Sequence, residues 1–200
     1  MNININNGGY ILCRSKFYLA NDLLYESEYT ITSGINNLVG EIDSGVWAIS
    51  YLLSMYKYNT KDFVLFKDPI ITVDGTKTSL SEFSKYSCYL DTIYPLFNSK
   101  ASLRKLIMKQ IKLNKSRDTA DNIREIFCID KERFERPLTS MGNEIYRAMA
   151  SLGYTCGKEV FCFPWLSYKR YCGYHEQIKG LINILENLDK TIILPIGNNL

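Results

Sequence analysis

One stretch constrains the fold more than any other. An apolar run, Ile35 to Val39, ends in the polar turn Gly40-Glu-Ile-Asp-Ser-Gly45 and passes straight into Val46 to Met55, which is apolar with helical character. A strand, a glycine turn and a helix in that order form the setting in which a phosphate loop has meaning. The rest of the chain fits an α/β reading. Short strands are predicted at Tyr10 to Leu19 and Tyr29 to Ile31, with a turn around Asn21-Asp22. Further strands fall at Phe63 to Phe66, Ile70 to Val73 (followed by an Asp74-Gly75 turn) and Ser87 to Leu90. From about Ser99 to Phe134 the periodicity is helical, with a polar break at Asn114 to Asp118. Gly142 to Leu152 suits another helix, Val160 to Phe163 a buried strand closed by Pro164, Ile178 to Leu188 an amphipathic helix, and Thr191 to Leu194 a last buried strand.

Composition narrows the classes. Apolar residues make up 46% of the 200 residues and charged ones 22%, so the chain can bury a core and reads as one globular domain. The net charge of +3 names no partner, but from Lys100 to Arg117 there are seven basic residues and no acid. That run reads as a solvated helical face or as a surface for an acidic partner or nucleic acid. The six cysteines form no C-x-x-C pair and the single histidine is His175, so a zinc site is not expected. The first residues lack a basic then apolar leader, so neither secretion nor a disulfide framework is expected. The apolar stretches fall short of the roughly 18 residues a membrane helix needs, so any tie to a membrane is expected to run through another subunit.

The order of motifs resembles that of the ATP-binding domains of ABC transporters along nearly the whole chain. Leu38-Val-Gly-Glu-Ile-Asp-Ser-Gly-Val-Trp47 resembles the Walker A loop, and Ile70-Ile-Thr-Val-Asp-Gly75 the hairpin after the first helix. Tyr89-Leu-Asp91 stands where the family has its glutamine loop, and Thr139-Ser-Met-Gly-Asn143 resembles the signature segment. Arg147 to Leu152 resembles the helix after the signature, Gly157 to Ser167 the Walker B strand and the start of the D-loop, and Thr191 to Gly197 the strand leading to the switch histidine. The resemblance implies a P-loop NTPase fold of the ABC type: one α/β domain over residues 1–200 with a central sheet flanked by helices, a strand-rich N-terminal part and a helical insert near residues 92–146. It stops at Gly197, so the family's last elements are expected to be abbreviated.

The departures are as informative. The vestigial loop would comprise Gly40, Asp43, Ser44, Gly45, Val46 and Trp47, with Val46 in place of the lysine that neutralises phosphate and Trp47 in place of the hydroxyl that holds magnesium. Asp43 replaces a loop glycine. A carboxylate about 4 Å from a phosphate oxygen costs on the order of 4 kcal/mol per charge pair at an effective dielectric near 20. Phe163 and Pro164 stand for the two Walker B acids, Asp91 for the glutamine and Gly197 for the histidine. The expectation is a protein without ATPase activity, without a metal site and without ATP in its own loop.

What survives is the signature-like set Ser140, Gly142 and Asn143. In the family that segment acts in trans on the nucleotide of a partner subunit. Ser140 and Gly142 are read either as an ordinary cap and turn or as such a trans contact. The expected partner is another protein subunit, an active ABC ATPase or a membrane protein, at the cytoplasmic face of a membrane. Nucleic acid is not expected. The alternative is a repurposed binding or regulatory protein that keeps only the fold. Trp47 is read as filling the vacated pocket or as an exposed anchor, and Phe17 and Tyr18 as core packing or as an adenine platform.

Overall fold

The computed structural model describes residues 1–6, 11–15, 20–24, 28–41, 44–65, 67–91 and 100–199, with backbone alone for 11–15 and 20–24. Phe17, Tyr18 and Asp43 lie outside the described residues, as does the expected start of the helical insert at 92–99. In chain order the strands are β1 (Asn2–Asn6), β2 (Ile11–Ser15), β3 (Ala20–Leu24), β4 (Glu28–Thr32), β5 (Gly34–Val39), β6 (Phe63–Leu65), β7 (Ile70–Val73), β8 (Thr76–Thr78), β9 (Ser87–Tyr89), β10 (Val160–Cys162) and β11 (Thr191–Ile196). The helices are α1 (Val46–Met55), α2 (Leu80–Tyr86), α3 (Leu103–Asn114), α4 (Ala120–Ile126), α5 (Lys131–Phe134), α6 (Ile145–Thr155), α7 (Tyr168–Gly173) and α8 (His175–Asn187).

A parallel sheet in the order β5-β11-β10-β9 is the centre of the fold. Its two middle strands, β10 and β11, are buried at every position. That burial is why they read in sequence as continuous apolar runs rather than alternating ones. Helix α1 lies on one face of this sheet and α6 and α8 on the other. All ten residues of α1 are buried, because the three-stranded antiparallel sheet β3-β2-β6 and α2 close over its outer side. A helix enclosed on all sides has no use for a polar face.

The second antiparallel sheet, β4-β1-β7-β8, follows the period of two. In β1 the asparagines face solvent while Ile3 and Ile5 are buried, opposite Ile31 and Tyr29 on one side and Val73 and Ile71 on the other. The Asp74-Gly75 turn has φ of 47° and 80° at its two residues, the left-handed pair a two-residue hairpin requires.

One expectation is corrected here. Asn21-Asp22 is not a turn: both lie within β3, with Cys13 opposite Asp22 and Arg14 opposite Asn21. Pairing with β2 overrides the local preference of these residues for turns. The helical insert takes the form of α3, α4 and α5. Leu103 and Ile107 of α3 are buried, and α3 packs against α6.

Candidate functional site

Between β5 and α1, the described residues Gly40, Glu41 and Ser44 are tied to one another and to the chain around residues 165 and 196–198. The Gly40 N–H donates to the Ile196 carbonyl at 2.9 Å, and the Gly40 carbonyl accepts from the Trp165 indole N–H at 3.0 Å. The Glu41 carboxylate accepts from the Asn198 backbone N–H at 3.0 Å. The Glu41 carbonyl accepts twice from Ser44, from its N–H at 3.0 Å and its hydroxyl at 2.6 Å. A Cβ at Gly40 would lie 2.3 Å from the Ser44 Oγ and 3.0 Å from a Val46 methyl, so any larger residue would push the Ser44 hydroxyl off the Glu41 carbonyl. Gly45 caps α1 with φ of 89°, again a glycine conformation.

Val46 and Trp47 both turn into the core. Trp47 is 1% exposed, stacks on Tyr51 with ring centroids 5.0 Å apart and donates its indole N–H to the Tyr89 hydroxyl at 3.1 Å. It is a packing residue under the helix and not an exposed anchor.

Beside the loop, β10 ends in apolar groups. Phe163 and Pro164 are buried. The Phe163 carbonyl accepts from the Ser50 hydroxyl, and its ring meets Tyr146 at 5.7 Å. Tyr146, the second residue of α6, packs against the end of β10 and feels the charge of Asp91. Burial first, then the Asp91 charge, push its phenol up to about 12, so it stays neutral. At Gly197 a Cβ would lie 3.0 Å from the Trp165 ring and 3.2 Å from the Tyr168 backbone nitrogen. Trp165 therefore bridges the two ends of the site, its indole N–H on Gly40 and its ring against Gly197.

The signature-like segment lies elsewhere on the surface. Two 3-10 turns, Leu138–Ser140 and Gly142–Glu144, run into the start of α6. Thr139, Ser140, Gly142 and Asn143 are exposed. Their shape is set by Arg133, whose guanidinium donates to the Met141 carbonyl at 2.9 Å and to the Asn143 side chain at 2.5 Å, with Glu144 at 3.8 Å. Asp130 in turn caps α5 and so orients Arg133. The backbone N–H groups it receives, that of Arg133 first, hold its carboxyl below the ordinary carboxylate range. The amides of Ser140, Met141 and Glu144 donate within the turns, to Pro137, Leu138 and Met141. Their partners are internal, unlike the outward-facing amides of an anion-binding helix start.

No other chemistry gathers nearby. Among the described residues no three of His, Cys, Asp and Glu cluster as metal ligands would. Cys88 and Cys162 are buried with their thiols pushed up by burial, Cys162 to about 12, so neither is a thiolate at neutral pH. Sequence reasoning did not foresee Trp165, Tyr146 or Arg133. Trp165 and Arg133 stand in plain view, but only the three-dimensional pairing gives them partners. For Tyr146 the signal was an aromatic opening a helix.

No family model and no curated protein matches the chain. Solved structures do. An ATP-binding protein of a putative ABC transporter from Pyrococcus furiosus aligns with a TM-score of 0.64 at 15% identity, over 100% of this chain and 93% of that one. CbiO1 from Clostridium perfringens, described as part of the ABC transporter complex CbiONQ, aligns with a TM-score of 0.63 at 15% identity, over 98% of this chain and 78% of that one.

Proposed function

Because this chain has the fold of an ABC-type ATP-binding domain, we propose that it is a catalytically silent member of a transporter-type complex. It holds no ATP in its own loop and pairs with an active ATPase at the cytoplasmic face of a membrane. One observation carries the first half. The end of β10 beside the loop is closed by buried Phe163 and Pro164, where magnesium and an attacking water would need carboxylates. The loop supports the same reading, since the N–H groups of Gly40 and Ser44, donors a phosphate would need, are already given to the carbonyls of Ile196 and Glu41. The residues present do not fit a magnesium nucleotide.

Millimolar ATP with magnesium is therefore expected to leave the melting temperature unchanged. A ligand at a hundred times its Kd would add about 2.7 kcal/mol, a shift of roughly 5 to 10 °C for a domain of this size. The same protein is expected to show no ATP turnover above a contaminant control. A clear shift with ATP but not AMP, or turnover that Ser44→Ala removes, overturns this half of the proposal.

The second half rests on the exposed signature-like surface and on the company such folds keep, as CbiO1 does in its complex. Among the described residues no helix is long and apolar enough to cross a membrane, so attachment would come through a partner. In a complex with an active ATPase, Ser140→Glu is expected to lower the stimulated hydrolysis at least about tenfold, because a carboxylate there opposes the charge of the transferred phosphate. Ser44→Ala should leave that rate within about twofold, a change under roughly 0.5 kcal/mol. Unchanged rates for Ser140→Glu would favour the second reading, a binding or regulatory protein that keeps only the fold. The observation on its side is that the amides around Ser140 are already committed to their own turns.

A further inference from the structure

Helix α3 presents a second surface, and it does not depend on whether any nucleotide binds. Leu103 and Ile107 fix its inner face against the core. At about 100° per residue, Lys105, Lys109 and Lys112 then fall within roughly 60° of arc on the opposite side. Met108 lies about 40° to one flank of this stripe and Leu113 about 40° to the other. All five are exposed, Met108 by 53% and Leu113 by 63%. Lys100, Lys115 and Arg117 extend the positive field at both ends and are exposed too.

None of these basic groups forms an ion pair with a described residue. The helix's other cation, Arg104, sits aside from the stripe, held by both carboxylate oxygens of Asp121 at 3.0 Å and by Glu135 at 3.3 Å. Asp118, past the end of the helix, is taken up by Ser116 and Asn122. The acids around α3 are thus spoken for, and the lysine stripe has no counter-charge on its own helix.

We infer that this face docks an acidic amphipathic helix of a partner protein, whose glutamate or aspartate row meets the lysines while apolar residues on either side meet Met108 and Leu113. The layout distinguishes this occupant from two others. A helix lying on lipid puts apolar residues at the centre and lysines at the flanks; here the order is reversed. Single-stranded nucleic acid needs aromatic platforms, and no aromatic residue lies between Lys100 and Arg117. A duplex would use the lysines but leave Met108 and Leu113 against phosphate. A protein helix satisfies both rows, and the charge match fixes its register.

The test uses the full chain and a synthetic helix-forming peptide of about 18 residues, long enough to be partly helical alone, with glutamates at i, i+4 and i+7 flanked by leucines. A peptide of the same composition in permuted order is the control. The patterned peptide is expected to bind at least about tenfold more tightly than the permuted one. Lys105→Glu with Lys109→Glu and Lys112→Glu should weaken it at least about tenfold, and Met108→Ser with Leu113→Ser about fivefold. Unchanged melting temperatures establish that the variants fold; were the triple glutamate variant unstable, the triple Lys→Gln variant serves. Equal binding of both peptides, or indifference to Met108 and Leu113, overturns the proposal. So does tighter binding to phosphatidylcholine vesicles with about a third phosphatidylserine, or to a DNA duplex.

Discussion

Phe163→Asp, which would set a carboxylate at the end of β10, is expected to unfold this protein rather than arm it. The ring is fully buried against Tyr146, and removing a buried phenylalanine costs about 3 to 5 kcal/mol. The new carboxyl would enter a dry pocket, with Asp91 among the charges acting on its neighbour Tyr146. It therefore escapes charge by keeping its proton. A total loss of about 4 kcal/mol or more follows, read in urea unfolding, or roughly 8 to 16 °C in melting temperature. Phe163→Leu, which keeps an apolar group, should cost under about 1.5 kcal/mol. The sign of the pH dependence is a separate check. A carboxyl whose folded pKa is raised favours the folded state most at low pH, so the deficit should narrow as pH falls toward about 4. A variant within about 1 kcal/mol of the parent that gained magnesium-dependent ATP binding would refute the account.

Trp47→Ser, which puts a hydroxyl at the start of α1, carries the second large effect. It removes the stack on Tyr51 and the hydrogen bond to Tyr89 from the centre of the core, a loss of about 3 to 5 kcal/mol. Trp47→Phe keeps an aromatic ring in the stack and gives up the indole hydrogen bond, so it should lose less than half as much, about 1 to 2 kcal/mol. Chemical denaturation of both variants decides the matter. A serine variant as stable as the phenylalanine one would mean that Trp47 is not the packing residue its burial indicates.

Much of this architecture was legible in the chain. Gly40 and Gly45 stand between an apolar strand and a mostly apolar helix, and the structure keeps that strand and that helix at the predicted places. The middle strands of the parallel sheet were legible because burial on both faces leaves an unbroken apolar record. Other elements left signals that were passed over. Ser79 caps α2 by accepting from the Glu82 amide, and the Ser-x-x-Glu spacing of a capping box stood in the sequence. The alternation of asparagine and isoleucine in β1 stood there too. Asn21 and Asp22 could not be read correctly from local preference, because the partner strand decides their conformation. The site divides the same way. That Val46, Phe163, Pro164 and Gly197 stand where the resemblance leads one to expect other residues is a matter of reading letters, whereas the positions of Trp165 and Tyr146 follow from packing between distant strands.

The contact between Trp165 and Gly197 also ties what one position tolerates to what stands at the other. A side chain at 197 would press on the indole ring, 3.0 Å from where its Cβ would be, and on the Tyr168 backbone nitrogen at 3.2 Å, and these neighbours would have to give way. A smaller residue at 165 gives up the hydrogen bond that holds Gly40. Taking the indole away relieves only one of these contacts, so a β-carbon at 197 would still meet the Tyr168 backbone nitrogen at 3.2 Å. The two positions are therefore coupled: a change at 165 alters what 197 tolerates and frees the Gly40 carbonyl in the same step.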